Sequence, residues 1–490
     1  MGEAIITLEK KLKDSFPEMV VYKDLKKSNF FNSLTLPSFM RDWLIKRFQA
    51  EDGFLGEEQI ENIRNFIDTY IPRTKQDWNK IKSRIINESE RVKILAKISV
   101  DIDIKTGWRF FTLSDFGLGK ADTGIPNNVW YDFSDDFLAA NEIWGIVELA
   151  YLPKDYSEDK KGKIIITDFK KFCPYQIDLN FYKEARKNFT IDEWFDVLLG
   201  AIDYNPSGYK ERVHKRTMLS RLLPFVEKRL NLVELAPKGT GKSYVFERLS
   251  RFGYLVGGGK LSRAKLFYDR SKKSRGLIFS NDFVALDEIQ TISASDPNDI
   301  RSALKTYMES GQYSGDDFRG VADAGIILLG NIESRNMDEY TDLFFELPNL
   351  FKESALIDRF HGFIMGWNIP RMNDDLKMNG FALNSEYFTS IMNLLRDDIT
   401  YRQIVDEIIE VPKHADTRDT EAIKRTATAF LKLFFPNVQS PSGIVAHEFE
   451  EYCLRPASKM REIIKYQMGK LDDEFKGKDI PNLLLKEKFR

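Results

Sequence analysis

At 490 residues the chain is too long for one hydrophobic core, so about three domains are expected. Its 42% hydrophobic and 30% charged residues are those of an ordinary globular protein and exclude a disordered one. Basic and acidic residues nearly cancel, 73 against 75, and the net charge of −2 argues neither for nor against nucleic acid, because local basic groups can still line a channel. Cys173 and Cys453 lie far apart and, with four scattered histidines, form no zinc or redox spacing. They read as buried, reduced thiols of a cytosolic protein. Met1–Phe16 mixes Glu, Lys and Asp with short apolar stretches and lacks the apolar run of a secretion signal. No segment approaches the ~18 apolar residues needed to cross a bilayer, so a cytoplasmic location without membrane contact is expected.

Residues 1–90 read as a helical region. Ser38 is a candidate N-cap before the apolar stripe Phe39, Trp43, Leu44 and Phe48, and a second stripe (Ile60, Ile63, Phe66, Ile67, Tyr70) stops at Pro72. The period then changes to two: Ile98, Val100, Ile102 and Ile104 alternate with Ser99, Asp101 and Asp103, the pattern of a half-buried strand. Strand-like runs follow at Trp108–Leu113, Trp144–Tyr151 and Lys163–Thr167. Residues 91–185 are therefore expected to form a small β-rich domain, sandwich or barrel, of a size that suits an OB-type, DNA-associated module. Thr190 and Glu193 make a capping box that opens a helical linker over 186–230. Its basic stretch Lys210–Arg221 reads first as a solvated helix face.

The stretch Asn231–Arg248 is the most informative. An apolar strand, Leu232–Leu235, runs into Ala236-Pro237-Lys238-Gly239-Thr240-Gly241-Lys242-Ser243 and then into a helix. Gly239 and Gly241 let backbone amides turn toward phosphates, and the helix N-terminus adds partial positive charge. Lys242 is placed to reach the β- and γ-phosphates of ATP, and the Ser243 hydroxyl to ligate Mg²⁺. Ala236 replaces the usual first glycine, a departure from the phosphate-loop pattern. Further on, Phe283-Val-Ala-Leu-Asp287-Glu288 is a buried strand ending in two carboxylates. Asp287 suits the Mg²⁺ shell and Glu288 the attacking water, since a phosphate loop precedes them. Gly325-Ile-Ile-Leu-Leu-Gly-Asn331 is another buried strand, whose terminal amide suits positioning of the lytic water. Between them Gly311–Gly320, Gly-rich with short flanking strands, predicts a hairpin carrying Phe318 and Arg319 beside Asp316 and Asp317. Arg359, just before the last core strand (Gly362–Trp367), and Arg418, opening a later helix, are read as γ-phosphate ligands, Arg359 reaching a neighbouring subunit. The architecture expected is a multidomain α/β chain: an AAA+ P-loop core at 231–370, a helical lid at 371–436 and a helical basic tail at 437–490.

This order of motifs resembles the helicase-like branch of AAA+ proteins and is more closely similar to the BrxL family of bacterial BREX phage-defence systems. Glu234–Ser243, Leu266-Phe-Tyr268, Asp282–Glu288, Tyr307–Gly311, Arg418–Lys432 and Phe189–Trp194 carry the likeness, which spans roughly residues 36–475. The resemblance implies an N-terminal DNA-associated region and a Mg-ATP-hydrolysing motor. It implies a homo-oligomeric ring, hexameric or of stacked rings, on non-specific duplex DNA, with other phage-defence proteins as partners. In that branch the hairpin points into the pore, which makes Arg319 a candidate DNA contact. Family members commonly continue into a Lon-like protease domain, for which residues 437–490 are too short a stretch. Ser458 and Lys459 are adjacent and point apart, so no protease activity is expected. A natural short form and a truncated chain both fit. The rival reading is a protein unfoldase gripping polypeptide through Tyr254-Leu-Val-Gly257, which reads better as the second core strand with Gly258 and Gly259 as its turn.

Overall fold

The computed structural model describes residues 2–489 except 26–35, 51–52, 114–115, 139–141, 157–160, 173–175, 272–273, 316–317, 334–335 and 346. Cys173, Asp316 and Asp317 therefore lie outside the described residues. The chain divides into two compact units, residues 47–176 and residues 1–46 with 177–490. The first 46 residues, with strand β1 (Val20–Asp24), thus belong with the C-terminal half and not with a separate helical region ending at 90.

In unit 47–176, Thr74 and Asp77 exchange capping hydrogen bonds of 3.2 and 3.0 Å that start the helix Lys75–Asn87. Five strands follow: β2 (Val92–Ile102), β3 (Arg109–Thr112), β4 (Thr123–Gly124), β5 (Ile143–Leu152) and β6 (Lys163–Lys171). They form one sheet in the order β3-β2-β5-β6-β4, antiparallel except for β4 beside β6. The sheet curls until its edge strands meet: Ile125 donates its N–H to the Arg109 carbonyl at 2.9 Å, and the Thr123 hydroxyl donates to the Phe111 carbonyl. Two helices, Lys75–Asn87 and Asn127–Leu138, pack Trp78, Ile81, Ile85, Val129 and Phe137 against Ile94, Phe111, Val147 and Ile166. The alternation expected over 98–104 holds only at its start. Ile98 is buried, but Ile102 is exposed at the strand end and Ile104 is 95% exposed in the turn, because β2 starts earlier, at Val92.

The larger unit is built on five parallel strands: β7 (Leu232–Ala236), β8 (Gly253–Gly257), β12 (Phe283–Asp287), β16 (Gly325–Asn331) and β17 (Gly362–Met365). Their order is β17-β7-β16-β12-β8. The central strands are buried along their length, as parallel strands covered on both faces must be. Tyr254 lies in β8, at the sheet edge, where only Val256 is buried, and Gly258 and Gly259 turn the chain with positive φ. Short pairs decorate this core: β9 (Lys260–Leu261) with β13 (Ser293–Ala294), β10 (Tyr268–Asp269) with β11 (Ser274–Arg275), and β14 (Gln312–Ser314) with β15 (Arg319–Val321). The last pair is the hairpin expected at 311–320.

Three sequence expectations change here. The segment 371–436 holds three helices, Ser385–Asp397, Thr400–Ile408 and Thr417–Phe434, but also β18 (Asn379–Leu383), which pairs with β1. The 186–230 segment, expected as a helical linker, is packed into that helical layer: Phe195 and Phe434 rings lie 4.6 Å apart, and Trp194 Nε1 donates to the Leu433 carbonyl. The stretch expected as a helical basic tail packs onto the rest of this unit. The helix Arg455–Leu471 buries Met460, Ile463, Ile464 and Met468 against the core, and β20 (Leu484–Leu485) pairs with β19 (Ile409–Glu410).

Trp78 is one of the largest fully buried side chains of the smaller unit. Trp78→Ala is expected to destabilise that unit by about 3–5 kcal/mol. Native-state hydrogen exchange is the check: amides of β2 and β5 lose protection, and those of β7 and β16 keep theirs.

Candidate active site

In a parallel sheet every strand points its C-terminal end to the same edge, and this places the site. β7 ends at Ala236, β12 at Asp287 and β16 at Asn331, on neighbouring strands. Beyond β7 the backbone turns through Gly239 and Gly241 at φ 81° and 76°, left-handed values that favour glycine. A Cβ on Gly241 would stand 2.3 Å from the Tyr204 hydroxyl, so this position is closed to other residues on two grounds. Ala236 in place of the first glycine is accommodated because its neighbour across the sheet is Gly366. A Cβ there would approach the Ala236 Cβ to 2.4 Å.

Beneath the loop lies a strut that sequence reasoning missed. Arg221, expected on a solvated face, is fully buried and bonds to both carboxylate oxygens of Glu234. Its Nη1 donates to the Thr240 carbonyl at 2.8 Å. Of the other basic residues in the stretch, Arg212 pairs with Asp192 and Lys215 with Asp196. The signal for the strut was Glu234, a lone acid in an apolar strand, which cannot be buried without a cation.

Lys242 opens the helix Lys242–Arg248 and donates from Nζ to Asn331 Oδ1 at 2.9 Å. Burial lowers its pKa, against the pull of Glu234 and Asp287. The Ser243 hydroxyl donates to Asp287 Oδ2 at 2.5 Å. Glu288 adopts φ 49° and is exposed, which turns its carboxylate out of the strand line toward Gly258. Gln290 Nε2 bonds the Asn331 carbonyl at 2.7 Å. Pro237, Lys238 and Gly239 lie on the open side of the loop, and Thr240 is buried under it. Arg371, absent from the sequence-based set, places its guanidinium where a Cβ added at Gly239 would meet Nε at 3.8 Å, while Met372 N–H bonds the Gly239 carbonyl at 2.7 Å.

The residue after Ser243, Tyr244, donates its hydroxyl to Asp203, which sits at φ 74° in a buried cluster with Lys23 and Arg41. Burial pushes the Asp203 carboxyl up, but Arg41 and Lys23 outweigh it and hold it well below the usual range. The segment containing β1 is thereby anchored to the helix behind the phosphate loop.

Arg359 and Arg418 are brought together, but not to the loop. Arg359 precedes β17 and so lies at the opposite, N-terminal edge of the sheet, where Asn231 Nδ2 bonds its carbonyl. Its side chain bonds the carbonyls of Lys305 and Ala355 and pairs with Glu309 at 3.0 Å. Arg418, in the helix capped by Asp416, pairs with the same Glu309 at 3.0 Å and with Asp358 at 2.9 Å. Among the described residues neither guanidinium bonds to Ala236–Ser243. Arg319 is exposed on β15, and Phe318 stacks on Tyr268 at 4.5 Å and meets Phe279 edge-on at 5.3 Å, so that ring is packed and not free. Ser458 and Lys459 lie side by side in one helix, and Lys459 bonds Glu339 at 2.6 Å. Burial lowers the Lys459 pKa but Glu339 and Glu462 raise it further, the reverse of what a dyad base requires.

A fully parallel five-stranded sheet with a phosphate loop after β7 and a carboxylate pair after β12 defines a P-loop α/β domain of the ATPase type. The chain belongs to the BrxL family: residues 164–480 match the model for "Lon-like protease BrxL-like, ATPase domain", and residues 14–151 the model for "BREX system Lon protease-like protein BrxL N-terminal". It is 29% identical over 468 residues to a Lon-like protease BrxL of Escherichia coli O9:H4 (strain HS), covering 95% of this chain and 65% of that protein. A Lon-like protease BrxL of Bacillus cereus (strain H3081.97) is 29% identical over 469 residues, 94% of this chain and 66% of its own length. An uncharacterized protein, ORF426, of Acidianus filamentous virus 1 is 23% identical over 276 residues, 49% of this chain and 62% of its own. The chain thus spans about two thirds of the length of the BrxL proteins it matches.

Arg221→Ala leaves Glu234 buried and unpaired, and is expected to cost about 3–5 kcal/mol. The double substitution Arg221→Met with Glu234→Leu recovers most of that loss. A double-mutant cycle by chemical denaturation checks the coupling.

Proposed function

We propose that this chain is the ATP-hydrolysing subunit of a ring that works on duplex DNA in phage defence, with each active site shared between two copies. The observation that carries the reading is the partition of the site. Lys242, Ser243, Asp287 and Asn331 converge at one edge of the sheet, while Arg359 and Arg418 converge at the other.

The loop residues fit ATP and Mg²⁺ by their chemistry. Ser243 and Asp287 offer a hydroxyl and a carboxylate oxygen side by side, the hard oxygen donors that Mg²⁺ takes with its remaining waters. When bound, the ion supplies charge neutralisation on the phosphate oxygens. Amides of Lys238–Ser243 and the Lys242 ammonium hold the triphosphate, and the Asn331 amide, released from Lys242, orients water. Glu288, turned out by its left-handed backbone, accepts the water's proton. Arg359 and Arg418 of a second copy meet the γ-phosphate, because no subunit can reach its own loop from the N-terminal sheet edge.

DNA contact is assigned to two hairpins packed side by side. β10–β11 carries Arg275 and β14–β15 carries Arg319, both exposed, and the stack of Tyr268 on Phe318 joins them. Arg275, which the sequence reading did not single out, lies 5.8 Å over the Phe318 ring. With about one phosphate contact per arginine, affinity comes from repetition around the ring. The smaller unit, a curled five-stranded sheet with Lys120 5.9 Å from the Phe110 ring, fits an OB-type, DNA-associated module.

The test of the chemistry uses two substitutions. Lys242→Ala is expected to weaken ATP binding about 10- to 100-fold, the loss of a charge-assisted hydrogen bond. Glu288→Gln keeps binding and loses turnover by about 10²- to 10⁴-fold. Fluorescent-nucleotide titration and phosphate release measure both, and a Glu288→Gln protein that hydrolyses at the wild-type rate refutes the assignment of the base. For the hairpins, Arg275→Ala and Arg319→Ala should each flatten the log–log salt dependence of DNA binding by about one unit per lost contact. Unchanged affinity and slope in both would move the contact to the β-rich unit.

A further inference from the structure

The helix Pro297–Ser310 ends with Glu309 in its last turn, and that turn contains no basic residue. A carboxylate there faces the negative end of the helix dipole and needs a cation from elsewhere. It receives two: Nη2 of Arg359 and Nη2 of Arg418 both lie 3.0 Å from the same atom, Glu309 Oε2. Two guanidiniums closing on one anionic oxygen is the arrangement a terminal phosphate oxygen would require. Nε and Nη1 of Arg359 donate to the carbonyls of Lys305 and Ala355, so the guanidinium is turned back on its own subunit.

The neighbouring carboxylate, Asp358, also binds Arg418, but it is buried and locked by Arg461. Glu309 differs: its side chain is 48% exposed, and it rims an open cavity of about 410 Å³ lined by Ser302, Lys305, Thr306 and Arg359. Of the two, Glu309 is the one able to leave. It also stands two residues before Gly311, the left-handed cap from which the hairpin β14–β15 begins.

We propose that Glu309 holds the place of the γ-phosphate: it docks Arg359 and Arg418 against their own subunit until the nucleotide of a second copy displaces it. Glu309 is thus a positioning residue that sets how readily assembly becomes hydrolysis, and this rests on the reading of both arginines as acting in trans.

The experiment is ATP turnover per subunit against protein concentration for wild type, Glu309→Gln, Arg359→Ala and the double variant. Glu309 is half exposed in both contacts and solvent weakens them, so releasing both is expected to lower the concentration for half-maximal turnover on the order of 3- to 10-fold in Glu309→Gln. The double variant stays as inactive as Arg359→Ala, because the gain acts through the finger. Thermal melting of Glu309→Gln verifies the fold, which a half-exposed position leaves intact. An unchanged or higher midpoint with Arg359→Ala inactive overturns the role of Glu309 and leaves the shared site standing. An Arg359→Ala protein that turns over like wild type overturns the shared site itself, and the proposal with it.

Discussion

Strand direction in the large sheet governs what this subunit can and cannot do. Because β17, β7, β16, β12 and β8 all run the same way, the ends of β7, β12 and β16 gather the phosphate loop, Asp287 and Asn331 on one edge. A residue that precedes β17 lies at the other edge. A five-residue strand such as β7 rises roughly 16 Å, a span no arginine side chain crosses through a packed core. Arg359 is therefore excluded from its own loop by topology alone, and Arg418 is tied to it through Glu309 and Asp358. The proposed division of the site between copies rests on this topology and on no special feature of either arginine.

The loop itself depends on charges buried behind it. Arg221 and Glu234 satisfy one another and brace Thr240, while Lys23, Arg41 and Asp203 reach Tyr244, the residue after Ser243. Such pairs add little net stability over apolar packing, but removing one partner is costly. They hold the loop from the far side and connect it to β1, which pairs with β18.

What the sequence made legible was whatever depends on local pattern. The loop, the strand ending in Asp287 and Glu288, the hairpin before β16 and the capping box at Thr190 each follow from a few adjacent residues, and each is where the pattern put it. Arg221 was misread because nothing within its own helix marks the partner, which lies across the loop. The helix at 455–471 looked like a basic tail because Arg461 and Lys465 raise its charge. Both turn inward to Asp358 and Asp419, contacts that only the folded chain supplies. Glu309 and Arg275 were invisible for the same reason: their significance lies in what other segments bring to them.

The most direct test of a site divided between copies is complementation. Arg359→Ala and Lys242→Ala proteins, each inactive alone, are mixed under conditions where labelled subunits are shown to exchange, and ATP turnover is measured against the mixing ratio. A shared site predicts recovery of activity with a maximum at intermediate ratios, since some interfaces then join an intact loop to an intact Arg359. No recovery in the presence of demonstrated exchange would contradict the account.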